Sequence, residues 1–291
     1  MRSGWSAQIC PAHPSNFPTS KPDLDLNIWE FNKAAENQEE KFEEGVVLLR
    51  CSVHDADHAQ WLVEQAREGK MEMEKVATLL CEEDNKGSFL LSLLDKDVQK
   101  EVLPWNRNRT NKIAHLLSSE YVQWLVQQAS EGHWDKEDVV GIVCRKNRDH
   151  TLVLATLDFE TQKQVAIFNQ EKTTEVAHLL GSEFHHWLVQ QTLEGKWSKE
   201  NVGGVVCRKN SDNQLILATM DEEHQKQAAA FNQEKTLEVA HLLNAEFVLW
   251  LIEQAKEGNW STEDVGSVVF RKNRDHTLVL ATLDFETQKQ V

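Results

Sequence analysis

Histidine and cysteine recur in this chain at a fixed interval, and they are the first residues to consider for chemistry. His115, His178 and His241 each sit in the tetrapeptide "AHLL", 63 residues apart. Cys81, Cys144 and Cys207 keep the same interval, with Phe270 at the fourth place. Imidazole and thiolate are ligands of zinc, and imidazole alone is a proton switch near neutral pH. Spacing argues against a shared ion: no Cys-x-x-Cys pair occurs, and equivalent atoms in stacked helical layers stand about 10 Å apart. The histidines are therefore expected to be hydrogen-bonded structural side chains, and no metal or other cofactor is expected. A cysteine position that also accepts phenylalanine reads as core. Five cysteines, an odd number, suit reduced thiols in a reducing, cytoplasmic compartment better than a disulfide framework.

Three basic pairs, Arg145 with Lys146, Arg208 with Lys209 and Arg271 with Lys272, share the interval and would form a ridge able to follow phosphates. Two features weigh against nucleic acid. The pairs fall where a helix should end, so they complement its dipole, with Asn147, Asn210 and Asn273 placed to cap it. The chain as a whole carries a net charge of −16, and Glu82 and Glu83 stand in the first equivalent place.

Signals of catalysis are missing: there is no phosphate-cradling glycine loop, no nucleophile elbow, and no carboxylate pair outside helix-cap positions. A unique active site would have to come from residues that break the repeat. The breaks are His185, His186, Leu193, Glu222 and His224, and they spell no known constellation. The paired positions 122 and 123, 185 and 186, 248 and 249 read Val122-Gln123, His185-His186 and Val248-Leu249 while their neighbours repeat. One side of each pair is expected to face solvent, and the six residues form the candidate partner-binding surface.

The elements that position these residues follow from the repetition. "RKNRDHTLVLATLDFETQKQV" occupies residues 145 to 165 and returns unchanged at 271 to 291, with an edited copy at 208 to 228. The period is 63, and internal repetition outranks length as a guide to organisation. Four units result: a diverged one at 47–109, then 110–172, 173–235 and a truncated one at 236–291. Ahead of them lie a proline-rich tail at 1–24 and an acidic helical lead-in or cap at 25–46. Ordering one 63-residue unit costs about 95 kcal/mol, which needs roughly 3,800 Å² of apolar burial. One unit alone cannot supply that, so neighbours must share apolar faces. The chain stops at Val291, the counterpart of Val165 inside a helix, and this reads as a fragment of a longer array or a ragged duplicated end.

Within the third unit, apolar triplets at helical spacing mark short helices: Val176, Leu179, Leu180; Phe184, Trp187, Leu188; Val202, Val205, Val206. Gly195 suits a left-handed helix end, while Ser198 and Asp221 suit helix starts. The expectation is an all-α fold, an α-solenoid with about five short helices per unit, none much longer than 13 residues. Residues 202–219 could instead make a β-hairpin, but the leucine-rich first unit favours helix. Trp124, Trp187 and Trp250 are expected in the inter-helix core, and Trp134, Trp197 and Trp260 as staples against the next helix.

A polar turn, at 82–87 or 147–149, precedes a short apolar helix, "SFLLSLL" or "TLVLATL", an acidic turn, and a second helix with "QKEV" or "QKQV". This pattern resembles a degenerate ankyrin repeat, and HEAT-like or armadillo-like packing is a related solution. The resemblance implies an elongated protein-binding solenoid. No apolar run approaches the ~18 residues of a membrane span, and the N-terminus lacks the apolar core of a secretory signal. A non-catalytic, monomeric scaffold for protein–protein interaction is the leading expectation. Alternatives are a nucleic-acid-tracking solenoid using the basic ridge, and the repeat region of a protein whose enzyme domain lies outside this chain.

Overall fold

The computed structural model describes residues 56–83 and 88–289. The expected tail at 1–24, the lead-in at 25–46, the start of the first unit, part of its polar turn and Val291 lie outside the described residues. The described part is all-α. Its α-helices are α1 (Ala56–Arg67), α2 (Met73–Leu80), α3 (Lys96–Val102), α4 (Arg107–Ile113), α5 (Ser119–Ser130), α6 (Lys136–Val143), α7 (Phe159–Phe168) and α8 (Gln170–Val176). They continue as α9 (Ser182–Leu193), α10 (Lys199–Val206), α11 (Glu222–Ala229), α12 (Gln233–Val239), α13 (Ala245–Lys256), α14 (Thr262–Val269) and α15 (Phe285–Gln288). The longest run 12 residues. Short 3₁₀ turns sit between them, at Ala177–Leu179 and Ile216–Thr219 in the third unit.

Local sequence sets each boundary. Asp221 Oδ1 accepts the His224 backbone N–H (3.1 Å) to start α11, as Asp158 does for α7 from Thr161 (2.9 Å). Ser198 caps α10 and Asn232 caps α12 in the same way. Each cap satisfies a backbone donor that a helix start leaves unpaired, worth about 1 kcal/mol. Gly195 closes α9 at φ 77°; its N–H bonds Thr192 O (3.0 Å) and that of Lys196 bonds Gln191 O (2.9 Å). This is the Schellman pattern, which needs a residue at ease in the left-handed region.

Residues 202–219 follow the helical reading rather than the β-hairpin, as the end of a helix, a polar turn and a short 3₁₀ helix. Helix α10 ends at Val206, a lone bridge pairs Lys209 with Leu215, and a 3₁₀ turn follows. The turn is organised by Asn210, whose Oδ1 accepts from the N–H of Asp212 (3.0 Å) and Gln214 (2.9 Å). Asn147 and Asn273 do the same for their turns, so these asparagines shape the loop rather than cap the preceding helix. A polar side chain that mimics the backbone inside the turn removes the need for a second strand.

One apolar cluster runs without interruption from Leu103 to Leu283, and a second gathers residues from Ala59 to Ile113. Helices α5, α7, α9 and α11 pack in succession, each on the next; α8, α10, α12 and α14 do the same, and α10 also packs on α11. Buried Gln99, Gln162 and Gln225 tie the last helix of each unit to the turn before it, their Nε2 donating to Leu94 O, Leu157 O and Leu217 O at 2.8–2.9 Å. A buried amide without such a partner would cost about 1–3 kcal/mol. Trp134, Trp197 and Trp260 are buried and precede the caps Asp135, Ser198 and Ser261. Trp124, Trp187 and Trp250 are only half-buried: each packs one face against the core, Trp187 edge-on to Trp197 at 5.9 Å, and leaves the rest open.

The cysteine position is not uniformly core. Cys81 is buried and Cys144 and Cys207 are half-buried, but Phe270 is 62 % exposed. Cys207 Sγ lies against Thr236 Oγ1 (3.8 Å) and Cys144 Sγ against Lys172 O (3.9 Å), residues 28 or 29 positions further on.

Candidate functional site

The six residues expected to form a partner surface divide by depth. Val122, His185 and Val248 are buried at 0 %, 2 % and 1 % exposure, so they are not surface residues. Their side chains point from α5, α9 and α13 into the core, and the His185 Nε2–H meets Ala177 O at 2.9 Å. Gln123, His186 and Leu249, one residue on and about 100° around each helix, are half-buried at the edge of the surface. The expected surface therefore reduces to these three.

Two of them, Gln123 and His186, face the aspartate that caps the last helix of their unit. In the second unit, Gln123 Nε2 donates to Asp158 Oδ2 (2.9 Å), and so does Thr161 Oγ1 (2.7 Å). In the fourth, Thr287 Oγ1 donates to Asp284 Oδ2 (2.6 Å), and Leu249 stands in the outer position. The third unit replaces both polar partners with imidazoles. His224 Nδ1 lies 2.7 Å from Asp221 Oδ2, and His186 Nε2 lies 3.5 Å from the same oxygen. The two rings meet edge to face at 5.1 Å. The breaks in the repeat thus do form a constellation, His186, Asp221 and His224, although the residues alone spelled none. His185 is in the core, Leu193 is 44 % exposed elsewhere on α9, and Glu222 pairs with Lys226 at 2.5 Å.

Asp221 is held below the usual carboxylate range, chiefly by the backbone N–H of His224 and then by its side chain. It is therefore an anion at neutral pH. The backbone fixes Oδ1, leaving Oδ2 to meet the imidazoles. Side-chain exposures of 34 %, 55 % and 32 % for His186, Asp221 and His224 leave the cluster open to solvent.

The recurrent histidines behave differently. His115, His178 and His241 are half-buried on 3₁₀ turns, and the Nδ1 of each is buried without a well-formed hydrogen bond among the described residues. Burial pushes all three pKa values down, Arg145, Arg208 and Arg271 add to the shift, and the backbone of Lys112, Glu175 and Glu238 opposes it. Along the basic ridge, Arg208 and Arg271 each donate a guanidinium N–H to the carbonyl of Glu175 or Glu238 (3.2 Å). Lys146, Lys209 and Lys272 take part in the lone bridges through their backbones.

A groove of about 350 Å³ opens between the third and fourth units, lined by Ala218 and Gln225, by Leu242 to Ala245 with Val248, and by Asn273 to Asp275. Of its residues only Val248 and Asn273 were singled out from sequence; grooves arise from the spacing between units, which a one-dimensional repeat does not show. No helix among the described residues is long and apolar enough to cross a membrane. No family model matches the chain, and no curated protein and no solved structure matches it either.

Proposed function

We propose that the chain is an α-solenoid scaffold that binds another protein through a non-catalytic surface made by the outer edge of α5, α9 and α13. One observation carries the reading. The buried positions of these helices stay apolar or hydrogen-bonded from unit to unit, while the next position outward changes from Gln123 to His186 to Leu249. A repeat that keeps its core and varies one edge offers a graded strip to a partner. The net charge of −16 favours encounter with a basic partner, and the free thiols of Cys81, Cys144 and Cys207 suit a reducing compartment. The scaffold acts as a monomer in this reading. Tracking of nucleic acid along the basic ridge is the weaker reading, since Arg208 and Arg271 already serve neighbouring carbonyls.

The test is affinity capture from cell lysate with and without nuclease, using the natural chain and a Gln123→Ala, His186→Ala, Leu249→Ala triple variant. Partners that survive nuclease and moderate salt and are lost with the triple variant support the proposal. Capture that disappears with nuclease, or falls steeply with salt, means phosphate contacts dominate and the proposal is wrong. Capture that the triple variant retains means the surface lies elsewhere.

A further inference from the structure

The third unit departs from its neighbours at two places that face each other. Where the second unit has Gln123 and Thr161 around its capping aspartate, the third has His186 and His224 around Asp221, 35 and 3 residues away in sequence. Capping does not demand imidazole, because threonine does the work in the second and fourth units. The pair of changes therefore asks for a separate explanation.

The hydrogen bonding of His186 supplies it. Nδ1 of His186 lies 2.8 Å from Ser182 O, a carbonyl that can only accept, so Nδ1 carries the hydrogen. In the neutral ring, Nε2 then presents a lone pair, and what it faces at 3.5 Å is the Asp221 Oδ2 anion. Two acceptors turned toward each other leave a place that either a second proton on the ring or a metal ion can fill. A backbone carbonyl holding the far nitrogen is also how metal-bound histidines are oriented.

We propose that His186, Asp221 and His224 form a binding site for a zinc-class divalent transition metal ion, with water completing its coordination. One ligand atom from each residue lies within 4.8 Å of the others. Zinc bonds of about 2.0–2.2 Å in tetrahedral geometry separate ligand atoms by about 3.3 Å. The 3.5 Å between His186 Nε2 and Asp221 Oδ2 already fits, and the 2.7 Å between His224 Nδ1 and that oxygen opens by roughly half an ångström once the shared hydrogen is replaced by the ion. Two imidazoles and one carboxylate select zinc, copper or nickel over calcium or magnesium, which prefer oxygen alone. The ion would join the middle of α9 to the start of α11 and keep an open position on the same edge that carries Gln123 and Leu249. This departs from the expectation of no metal, which weighed the His115, His178 and His241 ladder and the cysteines as ligands and read His186 and His224 as spelling no known constellation. The metal site does not depend on the partner reading.

Zinc chloride titrated into the chelator-stripped full chain, followed by calorimetry, tests it. The chain has 12 histidines, so the informative quantity is the difference from a His186→Gln, His224→Thr double variant. That variant installs the arrangement that Gln123 and Thr161 make around Asp158 in the second unit. The natural chain should bind one more equivalent of zinc than the variant, and either single change should weaken that equivalent about tenfold or more. Equal binding by both proteins overturns the proposal. As a readout independent of variants, zinc should shift the imidazole nitrogen resonances of two histidines in the ¹⁵N-labelled natural chain at one equivalent. Resonances that move with pH but ignore zinc would show a proton-linked cluster only, and the metal site would be rejected.

Discussion

His185 titrates at a place where its counterparts cannot, and this makes it a direct probe of the core. Its ring is 2 % exposed, where Val122 and Val248 hold the equivalent positions. Burial is the leading cause of its lowered pKa; His186 and His178 add repulsion, and the hydrogen bond to Ala177 O opposes the shift. In the unfolded chain the same ring takes up a proton near pH 6.5. Below that pH the unfolded state binds more protons than the folded state, so stability falls as pH drops; above it the contribution is fully present. For a folded ring that stays neutral, the loss between pH 7.5 and 5.5 amounts to at most about 1.4 kcal/mol.

Substituting His185→Val removes this term and supplies the side chain that the other units pack. Urea unfolding followed by tryptophan fluorescence at pH 7.5, 6.5 and 5.5 gives the stability difference between the two proteins at each pH. His115, His178 and His241, whose pKa values are also lowered, are present in both and cancel. The variant should gain on the natural chain by up to about 1.4 kcal/mol as pH falls from 7.5 to 5.5. A difference that stays constant across the three pH values would mean His185 ionises as freely inside as outside, and the burial argument would fail.

Three other outcomes follow from burial. Trp197→Ala should cost about 3–5 kcal/mol, and Trp187→Ala roughly half of that, because Trp187 keeps one side in solvent; equal losses in thermal or urea unfolding would contradict the two depths. Tyr121→Phe should stabilise by about 1 kcal/mol, since the buried hydroxyl has no partner among the described residues and Phe184 and Phe247 fill the same place without one; a lower melting temperature would reveal a missed hydrogen bond. Burial raises the thiols of Cys144 and Cys207 to about 11 and that of Cys81 to about 12, so iodoacetamide at pH 8 should label the first two on the order of a hundredfold, and Cys81 on the order of a thousandfold, more slowly in the folded chain than in urea, read site by site by mass spectrometry.

Helix starts and ends were legible because each is decided within four residues. Asp221 and Ser198 act as caps, and Gly195 ends its helix with φ 77°, as their neighbours in sequence require. The segment at 202–219 was harder, because apolar content suits a helix, a strand and a 3₁₀ turn alike. Its outcome rests on one asparagine, Asn210, whose side chain closes the turn from both sides, and such a bond competes with either regular structure. Phe270 misled for a different reason. Whether a position is core depends on what packs over it: Thr236 lies against Cys207, whereas Phe270 is left exposed.

The histidine cluster shows the limit of reading one column of a repeat at a time. Comparing units marks position 186 as variable and position 224 as variable, but variability alone reads as unconstrained surface. What joins them is that α9 packs on α11 with position 186 directly opposite the cap of α11. The signal was present in the second unit in another form, since Gln123 and Asp158 stand the same 35 residues apart and already hydrogen-bond. An amide and a carboxylate at that separation suggest a cap with an extra donor. Exchanging both donors for imidazole in one unit keeps the pairing with the capping aspartate and brings two ring nitrogens to one carboxylate oxygen. The useful comparison in a repeat protein is therefore between pairs of positions that the packing brings into contact, and a paired change such as His186 with His224 is more informative than either residue by itself.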